Sequence, residues 1–375
     1  MNKNPKRKIL LNPGPSTTTD TVKYSQVVSD ICPREEEFGH LMNSIRNDLL
    51  KIVSVDQKEY TTVLLGGSGT AAMESVLSSV ISPKDKMLII INGAYGKRLK
   101  QISETHNILF ETLEYEWGQP IDLAKVESTL SNNKKIKFVS FVHHETTTGI
   151  LNPLEKLQKL CDTYSKISIV DCISSFAGIP INLSETKVDF LLSTSNKCIQ
   201  GMAGVSFVLC KKNTLEKAKN IPSKSFYLSL YDQYKSLEDK NQTRFTPPVQ
   251  TIYALRQAID EFLTEGSHSR YLRYCNNWET LRQGLEKIGF KFLLDSDNES
   301  KILTTLLEPK NAEYDFTKLH DLLYEDGFTI YPGKKTNERT FRLSVMGDIN
   351  FTDIGFFLEA LVRSLNKLGI ENLEY

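Results

Sequence analysis

The chain predicts an α/β fold: a mainly parallel sheet flanked by helices, followed by a smaller α+β C-terminal domain. Three observations carry that prediction. Short, nearly continuous apolar runs alternate with helical patterns through the first part of the sequence. The runs lack the in–out alternation of a half-exposed sheet, so both faces are covered, as in parallel sheets. After about Pro247 the rhythm changes to long helices and then to short mixed elements.

The opening KILLNPGPSTTT has one short apolar run before a Pro/Gly loop, and is expected to pack beside the C-terminal domain. YTTVLL (60–65) leads into SGTAAMESVLSSVI, and KMLIII (86–91) leads into AYGKRLKQISETH. IKFVSFV (136–142) leads, after a loop, into PLEKLQKLCDTYS. The runs are rich in β-branched and aromatic residues, and the stretches that follow space their apolar residues three to four apart. ISIVD (167–171), VDFLLS (188–193) and VSFVLC (205–210) complete the strands. PPVQTIYALRQAIDEFL and SHSRYLRYCNNWETLRQGLEKIG then read as two helices back to back. ILTTLLE, DFTKLHDLLYEDGF, TFRLSV and FTDIGFFLEALVRSLNKL form the mixed lobe. The expected division is a large domain over 20–255 and a small one from 1–19 plus 256–375.

Composition excludes several functions. The 46 basic and 46 acidic residues balance, which leaves no electrostatic footprint for nucleic acid or an anionic membrane. The basic head MNKNPKRKILL is too short in apolar residues for a signal peptide, and MLIII (87–91) is far below a membrane span. Six scattered cysteines form no CxxC pair, so free thiols in a cytoplasmic protein are expected.

The chemistry-bearing residues gather where strands end. GGSGTAAMES opens a helix with three glycines, and Ser68, Gly69 and Thr70 there either cradle a phosphate or only cap the helix. Tyr95 in NGAYGKR either presents its ring to a flat ligand or packs in the core. In VHHETTTG, adjacent His143, His144 and Glu145 point alternately to opposite faces, so no metal is expected there. Thr146 and Thr147 instead supply hydroxyls. Asp171 ends a strand, as a helix cap or as the partner of a cationic ring nitrogen. Lys197 follows an apolar strand and precedes a glycine loop, where burial would lower its pKa and free its amine for carbonyl chemistry.

Jointly these signals agree on one cofactor. Pyridoxal 5′-phosphate needs an anchor for its phosphate, an aromatic against its ring, a carboxylate at its ring nitrogen and a lysine for its aldehyde.

The stretches LLNPGPSTTT, YTTVLLGGSGTAAMES, HHETTTGILNP, DCISSFAGIP, SNKCIQGMAGVSFV, RFTPPVQTIYALRQAI, YPGK and FRLSVMGDI resemble the class V, fold-type I pyridoxal-phosphate aminotransferases along nearly the whole chain. The resemblance implies a mainly parallel seven-stranded sheet. NKCIQG and ETTTG are similar to the branch that moves the amino group of 2-aminoethylphosphonate to pyruvate, rather than to the alanine–glyoxylate branch. It further implies that Lys197 holds the cofactor covalently and moves the proton, while Asp171 pairs with the ring nitrogen. Ile173 and Tyr95 would flank the ring. Ser68, Gly69, Thr70 and Asn196 would hold the phosphate, and Thr147 or Thr146 the ring hydroxyl. Thr246 would enter a partner subunit's site, which makes a homodimer with shared sites necessary. Arg342 would grip the anionic end of the substrate, with Gly14, Pro15 and Ser16 lining the same end. CPREEEF around Arg34, RFTPPVQ and GMAG depart from the family's usual wording and bear on substrate preference. The rivals are an alanine- or serine–glyoxylate-type aminotransferase, a fold-type I lyase, and a non-catalytic scaffold. The lyase needs a mobile cysteine, and Cys275 lies in a helical pattern instead.

Overall fold

The computed structural model describes residues 7–333 and 338–375. Residues 1–6 of the expected small domain and Lys334 of the YPGK stretch lie outside them.

Seven strands build the central sheet: β1 Tyr60–Gly66, β2 Lys86–Ile91, β3 Leu109–Glu114, β4 Ile136–Val142, β5 Ile167–Asp171, β6 Phe190–Thr194 and β7 Val205–Lys211. Their spatial order is β1-β7-β6-β5-β4-β2-β3. Only β7 runs against the rest, antiparallel to both β1 and β6. β1 and β7 are buried along almost their whole length, as strands covered on both faces must be. Helices α1 Gly69–Val80 and α2 Ala94–Thr105 follow β1 and β2 directly.

The expected strands and helices form, and the structure adds others. β3 is an edge strand whose residues are mostly part-exposed, so it carries no apolar run to announce it. The 17-residue helix Glu36–Ile52 buries Phe38, Met42, Ile45 and Leu49 at helical spacing, and helices Leu123–Asn132 and Leu230–Lys240 are added too.

Two cores result. The first runs from Phe38 to Phe262 and encloses the sheet. The second joins Ile9 and Leu11 to residues from Tyr274 to Ile370. Helix α3, Val249–Glu265, turns into α4, Ser267–Ile288, at Gly266. In the second core β8 Leu303–Leu307, β9 Tyr331–Pro332 and β10 Thr340–Ser344 make a three-stranded sheet, with Thr305 and Tyr331 flanking Arg342. The opening segment packs there as expected: Ile9–Leu10 pairs in parallel with Phe328–Thr329.

Candidate active site

The carboxyl ends of β1, β2, β4, β5 and β6 share one edge of the sheet, because these strands run the same way. In open α/β sheets this is where ligands sit. Asp171 ends β5 and Lys197 follows β6 on the neighbouring strand, where Asp171 stands opposite Leu192.

Asp171 is 3% exposed, and its Oδ1 accepts the Ile173 N–H at 2.8 Å. Among the described residues no cation forms an ion pair with it. Burial pushes its carboxyl up to about 7, against the smaller opposing pull of that N–H and of nearby Arg98 and Lys197. Burial also pulls the Lys197 amine down to about 8. Lys197 Nζ donates to the Pro13 carbonyl.

The loop NPGPS is tied to this lysine. The Ser16 N–H donates to the Asn196 carbonyl at 3.1 Å, and Ser16 Oγ donates to the Lys197 carbonyl at 2.9 Å. Gly14 has φ +109°, and a Cβ there would stand 2.5 Å from Lys197 Nζ, so only glycine fits. Pro15 is exposed beside it, its carbonyl accepting from Asn12 Nδ2 at 3.1 Å.

Ser68 precedes α1 and makes no side-chain cap bond, which leaves its exposed hydroxyl free. A Cβ on Gly69 would meet Ile173 Cδ1 at 2.6 Å, so the bare backbone lets the helix start close on that side chain. Thr70 Oγ1 accepts from Arg98 Nη1 at 3.2 Å. The Asn196 carbonyl oxygen Oδ1 accepts from Thr194 Oγ1 at 3.0 Å, which leaves its amide hydrogens for another partner.

Glu145 organises the next wall. Its Oε2 accepts the N–H groups of Tyr95 and Gly96 at 3.0 and 3.2 Å, capping α2, whose own N-cap Gly93 has no side chain. Its Oε1 accepts the Thr147 N–H at 3.2 Å and the Thr147 hydroxyl at 2.5 Å. Thr147 Oγ1 in turn accepts the Ala94 N–H at 3.1 Å. Burial raises the Glu145 pKa, opposed by those donors. The hydroxyl of Thr147 is thus committed to the scaffold, whereas that of buried Thr146 has no hydrogen-bond partner among the described residues. His143 Nδ1 bonds Ser175 Oγ at 2.9 Å, and burial lowers the pKa of His143 to about 4 and of His144 to about 3, so both rings are neutral.

Tyr95 is half-buried on α2, and its phenol reaches the Arg342 guanidinium. Arg342 comes from β10 of the second core and is 1% exposed. It donates to the Thr146 carbonyl at 3.1 Å and the Pro332 carbonyl at 2.9 Å, spanning the two cores. The structure thus ties Gly14 and Ser16 to Lys197, Gly69 and Asp171 to Ile173, and Tyr95 and Thr146 to Arg342, while Thr70 bonds Arg98. Thr246 is exposed beside Phe245 and lines a small pocket with Gly66, two positions before Ser68. Sequence reasoning missed Arg98 and the capping role of Glu145. Arg98 lies one turn after Tyr95, yet its partner Thr70 is 28 positions away, so no local pattern points to it.

The seven-stranded, mainly parallel sheet with its smaller second core is the fold of the class V aminotransferases. Residues 18–348 match the family Aminotransferase class-V, and the chain belongs to it. It is 39% identical over 356 residues to a 2-aminoethylphosphonate–pyruvate transaminase of Phocaeicola vulgatus, covering 94% of this chain and 98% of that one. It is 41% identical over 361 residues to a bifunctional phosphonoacetaldehyde hydrolase/aminoethylphosphonate transaminase of Clostridioides difficile. That match takes in 96% of this chain but spans only 56% of the relative's length. The crystal structure of a ureidoglycine–glyoxylate aminotransferase from Bacillus subtilis shares the fold, with a TM-score of 0.90 at 24% identity, covering 98% of this chain and 95% of that one.

Proposed function

We propose that this chain is a pyridoxal 5′-phosphate-dependent enzyme of phosphonate metabolism. It moves the amino group of 2-aminoethylphosphonate to pyruvate, giving phosphonoacetaldehyde and L-alanine. One observation carries the cofactor: a buried Asp171 without an ion-pair partner, one strand from a lysine whose pKa burial has lowered to about 8. A carboxylate so placed calls for a cationic group, which a protonated ring nitrogen provides. The free hydroxyls of Ser68 and Thr146 fit the same guest. The names and coverage of the two transaminase relatives support the substrates.

Bound there, pyridoxal phosphate supplies an aldehyde that takes up an amine and a cationic ring that withdraws electrons. Lys197 holds it, and its Nζ accepts the proton from the amine-bearing carbon of the substrate. Asp171 keeps the ring nitrogen protonated, and Ile173 and Tyr95 fix the plane of the ring. Ser68, Gly69, Thr70 and Asn196 bind the phosphate. Of the two threonines, Thr146 takes the ring hydroxyl, since Thr147 is engaged by Glu145 and Ala94. The Arg342 guanidinium suits phosphonate and carboxylate alike, so one cation serves both half-reactions, with Gly14, Pro15 and Ser16 closing that end.

Two copies complete each other's sites in this reading, with Thr246 reaching the partner's phosphate. Phe226, 79% exposed, packs 5.7 Å from Phe245 beside Thr246, an apolar surface suited to burial against a second copy. The six unpaired cysteines are consistent with a cytoplasmic enzyme. Among the described residues no helix is long and apolar enough to cross a membrane. Cys275 sits within α4, half-buried with a raised pKa, which suits no mobile thiol chemistry.

The test is the first half-reaction. Purified holoenzyme given 2-aminoethylphosphonate alone should lose its long-wavelength cofactor absorbance, and pyruvate should restore it. No bleaching would overturn the donor. Bleaching by alanine or serine, reversed by glyoxylate, would move the enzyme to the neighbouring branch.

A further inference from the structure

The groups assigned above to the cofactor phosphate are all uncharged: three hydroxyls, one of them Thr246 of a second copy, a backbone N–H and an amide. A phosphate monoester carries between one and two negative charges at neutral pH, and a helix N-terminus offsets only about half a charge. Lys197 is occupied with the aldehyde. The neutral cradle therefore lacks a cation.

Arg98 stands beside it. It rises from the second turn of α2, half-buried, and its Nη1 donates to Thr70 Oγ1 at 3.2 Å. Its Cζ lies 4.8 Å from the centroid of the Tyr95 ring. Guanidinium has five N–H donors, and among the described residues this one bond to Thr70 is the only hydrogen bond Arg98 makes. No carboxylate pairs with it among those residues. Its charge is felt at both Asp171 and Lys197, pulling each pKa down, so it stands near both. A part-buried cation without a counter-ion, held against a phosphate-cradle hydroxyl, is half of an ion pair.

We propose that Arg98 is the cationic ligand of the cofactor phosphate, held in place by Thr70 and the face of Tyr95. This rests on the cofactor reading above. The same contacts also couple the phosphate to the ring wall, since the cation that binds one lies over the aromatic that flanks the other.

The rival role is purely structural, Arg98 ordering Thr70 and Tyr95 only. Pyridoxal, which lacks the phosphate, separates the two. Apoprotein of the wild type, R98Q and R98K would be titrated with pyridoxal phosphate and with pyridoxal, following quenching of intrinsic fluorescence. R98Q should weaken pyridoxal phosphate binding roughly 10–100-fold, as for a lost charge-assisted hydrogen bond. It should leave pyridoxal binding within about twofold, and R98K should recover part of the loss. Added salt should weaken the wild type more than R98Q. An equal loss for both ligands, or no loss for either, overturns the assignment of Arg98 while leaving the cofactor in place. Failure of the wild type itself to take up pyridoxal phosphate would overturn the cofactor reading and this inference together.

Discussion

At Asp171 and Lys197 the fold holds two titratable groups away from their ordinary values, and both shifts cost the empty protein stability. Asp171 has a folded pKa of about 7 against 3.8 when exposed, so between those values the folded chain binds more protons than the unfolded one. Stability therefore falls as pH rises through that window, and the cost is fully present above about 7. Lys197 moves the other way, from 10.5 to about 8. The unfolded chain holds the extra proton between 8 and 10.5, so stability rises with pH there. Near pH 7.5 the apoprotein carries both penalties, and a guest with a cationic ring and a lysine-binding aldehyde relieves both. D171N keeps the acceptor for the Ile173 N–H and removes the charge. Apo D171N should melt above apo wild type at pH 8, by an amount on the order of a few kcal/mol. That advantage should shrink below pH 7 and vanish near pH 4, as read by thermal shift across a pH series. A wild type as stable as D171N at pH 8 would mean that the carboxylate already has a cation. The places of these two residues were legible because each follows a buried strand, and a strand end fixes a position on one sheet edge. Arg98 was not, because its bond to Thr70 crosses between two helices.

Helix α2 shows how an element can depend on a residue far from it in sequence. Its N-cap is Gly93, with no side chain to bond the first N–H groups, and Glu145 from the loop after β4 does so instead. Gly93 is extended, with φ −179°, so the backbone would tolerate any residue, but a Cβ would run into the Glu145 side chain. G93A should cost about 1–3 kcal/mol by overpacking, and the displaced carboxylate should release Thr147 as well. The measurable outcome is a lower melting temperature together with weaker cofactor retention, because Tyr95 and Arg98 ride on the same helix. Unchanged retention in a destabilised G93A would show that α2 does not set the ring wall. Sequence alone reads Glu145 poorly, since its neighbours His143 and His144 suggest a metal cluster and its real partners lie about 50 positions earlier. The same limit explains β3: an edge strand exposes polar side chains, so the apolar signal that marks β1, β2 and β4 is missing.

Across the whole molecule, the site is assembled from both cores. The lobe division we propose follows the expected one, with the break moved from residue 255 to Gly266, because α3 buries Ile252, Leu255, Ile259 and Phe262 in the first core. The groups we assign to the cofactor come from the first core, whereas Arg342 comes from the second. The NPGPS loop connects them, since Ile9 and Leu11 just before it pack in the second core while Ser16 bonds the backbone around Lys197. In the proposed reading this arrangement separates cofactor binding from substrate binding. Arg342 is a buried cation that donates to two carbonyls, Thr146 and Pro332, and no carboxylate pairs with it among the described residues. Its neighbouring rings, Tyr95 and Tyr331, favour the charge, but burial still lowers its pKa, so an anion that reaches it would be held firmly. R342A should raise KM for 2-aminoethylphosphonate and for pyruvate roughly 10–100-fold each, the worth of lost hydrogen bonds to a charged group. R342K keeps the charge but loses the fork, and should fall between them. Cofactor affinity should change much less than KM in both variants, because among the described residues Arg342 meets the first core at the Thr146 carbonyl and the Tyr95 phenol and bonds neither the Lys197 nor the Asp171 side chain. If R342A instead loses the cofactor, the two cores are not separable in function and the arginine is a structural strut; if KM rises for one substrate alone, the two anions are held at different points.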